Sequence, residues 1–125
     1  MGCQSIETID FPDTILKIKD QAFCKCINLK KIVLPKKIVK ISDRTFKACH
    51  QLKEVKFNEN LIDIGTEAFH RCYNLTEIFL PKSLEYIGDW AFNACYNLKT
   101  VYIPKKCKLG KDVFGNCFNL KITEY

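Results

Sequence analysis

The chain has 125 residues, 47% of them hydrophobic and 27% charged, with a formal net charge of +6. That much apolar sequence can bury a core, which excludes a mostly disordered chain, and no apolar run approaches the roughly 18 residues that would span a membrane. Apart from Arg44 and Arg71 the basic residues are lysines, hydrated point charges rather than the bidentate forks that read phosphates and base edges, so the charge argues against a nucleic-acid partner.

In chain order, the start Met1-Gly2-Cys3-Gln4-Ser5-Ile6 lacks the basic and apolar segments of a secretory leader. It also has Ile6 where an N-terminal acylation motif needs Ser or Thr. Cys3, Ile6, Ile9, Phe11 and Pro12 then form the end of a pattern that recurs along the whole chain. Ala22-Phe23, Thr45-Phe46, Ala68-Phe69 and Ala91-Phe92 follow one another at intervals of 23 residues, and Val113-Phe114 comes after 22. Three residues past each Phe stands Cys26, Cys49, Cys72, Cys95 or Cys117, and three further on Leu29, Leu52, Leu75, Leu98 or Leu120. Ile32, Val55, Ile78 and Val101 come next, then Leu34, Phe57, Leu80 and Ile103, closed by Pro35, Asn58, Pro81 and Pro104. A period in this range marks a repeat array in which stacked units share one core. The chain divides into a partial unit 1–12 and then 13–35, 36–58, 59–81, 82–104 and 105–125, about five and a half repeats in a single domain. At the far end Lys121-Ile122-Thr123 breaks the pattern and sets Thr123 where an Ile is expected.

Each unit has a local reading. Leu-x-x-Ile-x-Leu alternates apolar and polar positions, which predicts a short strand with one face inward. Ile18, Ile41, Ile64, Ile87 and Leu109 form a further inward column. Asp20, Asp43, Thr66 and Asp89 precede the Phe by three residues and are expected to cap a short helical turn that buries Phe and Cys. Gly65, Gly88 and Gly110 fit a tight bend, and Asn28, Asn74, Asn97 and Asn119 fit the turn back into the strand.

The unit Ala-Phe-x-x-Cys-x-x-Leu-x-x-Ile-x-Leu-Pro resembles the leucine-rich repeats of the BspA-like (Treponema-pallidum-type) family over nearly the whole chain. The resemblance implies an α/β repeat solenoid, right-handed, with a parallel sheet on its concave side. It also implies a role in surface adhesion or host interaction, since the family is frequent among surface proteins of host-associated bacteria and parasitic protists. A cell-surface location follows from the resemblance, and a cytoplasmic one is the alternative for a chain without a leader.

The candidate sites follow from the repeat. Six of the eight cysteines (Cys3, Cys26, Cys49, Cys72, Cys95 and Cys117) share one column, and Cys107 replaces Ile15, Ile38, Leu61 or Leu84. They are expected to pack as small buried hydrophobes, with a disulfide ladder as the rival because stacked equivalents lie about 5 Å apart. Cys24 shares a column with Lys47, His70, Asn93 and Gly115, a polar set that predicts exposure. Cys24-x-Cys26 and His70-x-Cys72 lie two repeats apart with one cysteine of each pair inward, so no metal site is expected. His50 and His70 lack a nucleophile and an orienting acid at a predictable distance, so neither an enzyme nor a cofactor is expected.

Between the inward residues of each strand stand Lys31 and Val33, Glu54 and Lys56, Glu77 and Phe79, and Thr100 and Tyr102. These outward residues of the concave sheet are the candidate face for a protein ligand, a host protein by the family resemblance, with Phe79 beside Tyr102 as its aromatic anchor. Cross-strand pairing that merely stabilises the sheet is the competing reading. Tyr86 and Trp90 interrupt otherwise polar columns and form a second candidate contact patch. Tyr73, Tyr96 and Phe118 align with Ile27 and are expected to form a structural aromatic ladder, with a ligand platform as the alternative. Lys30, Lys53, Lys99 and Lys121 form a lysine row, a solvated face by default and a polyanion site as the sharper alternative. A structural scaffold that associates through uncapped ends bearing Ile6, Ile9 and Phe11 is the functional alternative to ligand binding.

Overall fold

A strand of three residues with one inward side chain cannot hold itself together, and its apolar column is buried only by the next unit stacked upon it. The structure, a computed structural model, describes residues 3–125; the first two residues of the partial unit, and with them the Met-Gly start of the acylation motif, lie outside the described residues. Nine short strands follow in order: β1 (Lys31–Val33), β2 (Lys40–Ile41), β3 (Glu54–Lys56), β4 (Asp63–Ile64), β5 (Glu77–Phe79), β6 (Tyr86–Ile87), β7 (Thr100–Ile103), β8 (Lys108–Leu109) and β9 (Lys121–Glu124). The odd-numbered strands form one face in two parallel pieces, β1-β3 and β5-β7-β9, and Thr8 bridges to Lys31 ahead of them. The even-numbered strands form a second, continuous parallel sheet, β2-β4-β6-β8. The result is a parallel β-solenoid. The second sheet carries the expected column in register: Ile41, Ile64 and Ile87 are buried, whereas Leu109, expected inward with them, is exposed on the last turn.

The expected helical turn is absent: no helix occurs among the described residues, so the α part of the expected α/β class is not found. The backbone around each Phe is a run of turns whose N–H groups alternate in direction. Thr45, Lys47 and Cys49 donate to the carbonyls of Ser42, Arg44 and Phe46, three residues back. Arg44, Phe46 and Ala48, the residues in between, donate instead to Thr66, Ala68 and His70 of the next repeat, at 2.7–2.9 Å. A helix would consume every N–H internally. The alternation is produced by left-handed residues on either side of the Phe, Arg44 (φ 57°) and Ala48 (φ 60°), a pattern repeated at Gln21 and Lys25, Glu67 and Arg71, Trp90 and Ala94, and Asp112 and Asn116.

The expected caps act across repeats rather than within them. Asp43 Oδ1 accepts from the Thr66 N–H at 2.9 Å, and Asp89 Oδ1 from the Lys111 N–H at 2.8 Å. This arrangement also explains Gly65, Gly88 and Gly110, none of which has a positive φ. A Cβ on Gly65 or Gly110 would lie within 2.5 Å of the Asp43 or Asp89 carboxylate respectively, and one on Gly88 would lie 2.7 Å from the Thr66 nitrogen. They are there for close stacking, not for a bend. Asn97 Nδ2 likewise reaches back one repeat, to the Tyr73 carbonyl at 2.8 Å.

The core is one continuous cluster from Ile18 to Val113. At its centre the rings of Phe23, Phe46, Phe69, Phe92 and Phe114 stack with centroids 5.1–5.7 Å apart. Asn58, which interrupts the proline column, is buried with its amide fully used: Nδ2 donates to the carbonyls of Pro35 and Ile38 and Oδ1 accepts from the Asn60 N–H. At the C-terminal end the pattern break is absorbed differently from expectation. Ile122, not Thr123, pairs with Val101, while Thr123 pairs with Tyr102. The connection after Leu120 is one residue shorter than that after Leu98, so Ile122 takes the register position of the β-branched column while remaining 46% exposed on the last turn.

Candidate functional site

In β1, β5 and β7 the β-branched residues Ile32, Ile78 and Val101 are buried, and Val55 of β3 is half-buried against the core, so their neighbours face out. Lys31, Val33, Glu54, Lys56, Glu77 and Phe79 are exposed, and Thr100 and Tyr102 are half-buried. The parallel register places Phe79 directly beside Tyr102, and their rings stack at 4.3 Å with an interplanar angle of 4°. Phe79 remains 60% exposed, a large apolar surface that the fold itself leaves uncovered. Val33 and Lys56 are neighbours in the other piece of the face. Lys31 Nζ lies 3.8 Å from Glu54 Oε2, an exposed pair that adds little to stability.

The candidate face is thus not one uninterrupted sheet. β3 and β5 exchange no ladder hydrogen bonds, and the half-buried Val55 lies at this break. A groove of about 780 Å³ opens there, lined by Lys53, Lys56, Phe57, Thr76 and Phe79 among others. Lysines dominate its rim, but Glu54 and Glu77 sit among them. Of the lysine row, Lys30 is paired with Glu7 at 3.3 Å.

The two residues of the second candidate patch differ in their surroundings. Tyr86 and Trp90 are each 42% exposed, but Trp90 tilts over His70, ring centroids 6.0 Å apart, and lines a separate cleft of about 480 Å³ to which Tyr86 does not contribute. The column read as exposed is the floor of that region: His70 and Asn93 are buried, and Cys24 and Lys47 are half-buried. His70 Nδ1 bonds to the Asn93 carbonyl at 3.0 Å. Burial lowers the His70 pKa from its ordinary 6.5, so the imidazole is neutral at physiological pH. Next to it Glu67 accepts from Arg44 Nε at 2.8 Å and from Lys47 Nζ at 3.0 Å. Burial raises the Glu67 pKa, but these two cations outweigh it and hold the carboxyl below its usual range.

The cysteine column faces inward, with Cys26, Cys49, Cys72 and Cys95 fully buried. Two features were missed by treating it as a set of small hydrophobes. Cys3 and Cys26 are joined by a disulfide, where free thiols were expected; the other six cysteines are free. Each remaining thiol of the column also donates to a Phe carbonyl of the preceding repeat, Cys49 to Phe23, Cys72 to Phe46, Cys95 to Phe69 and Cys117 to Phe92, at 3.1–3.2 Å. The aromatic ladder is longer than expected as well, because His50 stacks on Tyr73 at 4.6 Å, followed by Tyr96 and Phe118. His50 stands immediately after its cysteine, as those aromatics do, so that membership was readable. Among the described residues no three His, Cys, Asp or Glu side chains gather closely enough to hold a metal ion. No helix among them is long and apolar enough to cross a membrane.

With the stacked 23-residue turns and inward Cys, Leu and Ile columns established, the sequence comparisons are decisive. The profile of the BspA type leucine rich repeat region matches residues 1–121 in six copies. The chain belongs to this BspA-type family. Solved leucine-rich repeat structures superpose on nearly all of it. A leucine-rich repeat protein from Bacteroides ovatus is 34% identical over 97% of the chain, TM-score 0.90. A leucine rich cell surface protein from Faecalibacterium prausnitzii is 27% identical over 96%, TM-score 0.90. The T. pallidum leucine rich repeat protein is 28% identical over 93%, TM-score 0.88. The chain spans 32% of each of the first two proteins and 57% of the third. No curated protein matches the chain. BspA-type repeats are typically non-catalytic, and the fully buried, hydrogen-bonded thiols of this array have no nucleophilic role.

Proposed function

We propose that this BspA-type array is a non-enzymatic protein-binding module that engages its ligand on the odd-numbered strand face, around Phe79 and Tyr102, in the setting of cell-surface adhesion or host interaction. The observation that carries the reading is the exposed, parallel Phe79–Tyr102 stack beside an open groove. Rigid aromatic pairs of this kind anchor interfaces because they bury much area at little entropic cost. The surface setting is supported by the F. prausnitzii relative, described as a cell surface protein.

The test needs no prior ligand. A random peptide-display library panned against the purified chain is expected to yield peptides whose affinity falls at least tenfold for Phe79→Ala/Tyr102→Ala, with thermal unfolding little changed. Failure to enrich any peptide, or equal binding to the double variant, overturns the proposal.

A second reading, a scaffold that associates end to end, is favoured by the apolar residues exposed on the terminal repeats: Ile6 and Leu16 at one end, Leu109, Phe118 and Ile122 at the other. Ile9 and Phe11 are only half-exposed and pack against the core, which weakens the N-terminal surface. Sedimentation velocity across a hundredfold concentration range distinguishes the two readings: growing species support the scaffold, and a constant monomer excludes it.

A further inference from the structure

The cleft beneath Trp90 has a chemistry that neither the repeat nor the proposed protein-binding face requires. Its floor is the pair His70 and Asn93, both buried. The column they belong to ends at Gly115, where the missing side chain leaves the cleft open. Because the Asn93 carbonyl can only accept, the neutral His70 must carry its proton on Nδ1. Its Nε2 lone pair then faces no donor among the described hydrogen bonds, and is left as an acceptor. Among the described residues the Asn93 amide is held only by a long 3.4 Å bond from Nδ2 to the Asp112 carbonyl.

The walls add one cation and one anion. Arg71 and Asp112 both line the cleft and are exposed, and neither enters an ion pair among the described residues. Aromatic surface comes from Trp90 and Tyr96, which are 42% and 49% exposed. The volume, about 480 Å³, lies in the range of small-molecule sites.

This combination excludes most ligand classes. A phosphate or nucleotide would meet one arginine offset by a carboxylate above a neutral imidazole, which leaves no net positive charge to bind it. An apolar ligand would strand the His70, Asn93 and Asp112 groups without partners. What remains is a neutral molecule with many hydroxyl donors and acceptors and apolar C–H faces to lie on aromatic rings. We infer that this cleft is a carbohydrate-binding subsite, in which a pyranose packs against Trp90 and hydrogen-bonds to Arg71, Asp112 and the Asn93 amide. The site is separate from the groove at Phe79 and does not depend on it.

Trp90 is the single tryptophan of the chain, so its fluorescence reports the site directly. Titration of the full chain with N-acetylglucosamine, galactose, mannose and cellobiose, and with inorganic phosphate and adenosine as controls, tests the inference. At least one sugar is expected to change the emission saturably in the millimolar range. Asp112→Gly and Arg71→Gly each remove one polar group at a left-handed position (φ 48° and 62°) where glycine is at ease, and each is expected to raise the half-saturation concentration at least tenfold. Phe79→Ala is expected to leave it unchanged. No saturable response to any of the four sugars, a response to phosphate or adenosine in their place, or unaltered half-saturation in both glycine variants overturns the inference.

Discussion

The Cys72 thiol donates to the carbonyl of Phe46, 3.2 Å away and 26 residues back in the chain. That carbonyl already accepts the Cys49 N–H at 3.3 Å, so the thiol takes its second lone pair and ties one turn of the solenoid to the previous one. The same bond recurs at Cys49, Cys95 and Cys117. The cysteine column is therefore both filler and stitch.

Burial pushes the Cys49 thiol up to about 12 and those of Cys72 and Cys95 well above their ordinary value. Since the thiolate is the reactive species, these three are expected to resist iodoacetamide at pH 8 until the chain unfolds, while the half-exposed Cys24 is alkylated in the native state. Mass spectrometry of natively labelled protein checks this. Labelling of Cys72 as fast as Cys24 would mean that the column opens in the native state. Cys72→Ala is expected to cost about 1–2 kcal/mol, for a small cavity plus one weak hydrogen bond.

The array itself was legible because repetition multiplies every signal: Phe, Cys, Leu and Ile at fixed offsets leave no other way to bury their faces. The turn around Phe46 was not legible. Asp43 three residues before a buried Phe looks like a helix cap, and nothing local reveals that its carboxylate serves the Thr66 N–H of the next repeat. Nor does any glycine mark the left-handed positions, which carry Arg44, Ala48, Glu67 or Trp90. Inter-repeat hydrogen bonds override the local preference there. At Phe79 and Tyr102 the outward alternation follows the sequence pattern, whereas the break between β3 and β5, beside the half-buried Val55, interrupts a column of similar residues that does not disclose it. His70 was misread because polar residues can be buried when a neighbouring carbonyl satisfies them.

The glycine column yields a prediction that separates stacking from turn geometry. Gly88→Ala would bring its new Cβ to 2.7 Å from the Thr66 nitrogen and 2.9 Å from the Gly65 carbonyl carbon. Backbone atoms cannot swing aside, so urea unfolding is expected to show a loss of about 1–3 kcal/mol. Gly115→Ala meets chiefly the Asn93 side chain, which can move, and is expected to cost less than about 1 kcal/mol. Equal effects at the two positions would contradict the stacking account.

The left-handed positions predict a gain. Lys25 is exposed with φ 62°, a conformation that costs a non-glycine residue about 1–2 kcal/mol, against roughly 0.4–1 kcal/mol of added chain entropy when glycine is unfolded. Lys25→Gly is therefore expected to raise the stability by about 0.5–1 kcal/mol. A destabilisation in urea titration would count against strain at this position.

Acid should weaken the solenoid through His70. Its folded pKa lies below the ordinary 6.5 because burial disfavours the imidazolium, with Glu67 acting in the opposite sense and Lys47 and Arg71 in the same. Between that lowered value and 6.5 the unfolded chain binds more protons than the folded one, so stability falls as pH drops through this window. Glu67 does not contribute there: its pKa is lowered from 4.5, and its share is lost only at more acid pH. Unfolding free energies measured between pH 7.5 and 5.5 are expected to decline, and His70→Gln, which can still donate to the Asn93 carbonyl, is expected to flatten the decline. An equal slope in the variant would place the effect elsewhere.

The Phe79–Tyr102 stack divides binding from stability most directly. Its rings meet on an exposed sheet face at 4.3 Å, a geometry worth about 0.5–1.5 kcal/mol beyond area burial in aromatic pairs. A double-mutant cycle with Phe79→Ala and Tyr102→Ala, read by urea unfolding, is expected to return a coupling energy in that range. The unfolding midpoint should fall only modestly, because neither residue lies in the core cluster. If the pair existed for the sheet alone, this coupling would be its whole effect, and peptides selected against the native face would bind the double variant as well as the parent. A loss of binding of tenfold or more in a double variant that still folds assigns the exposed ring of Phe79 to a partner.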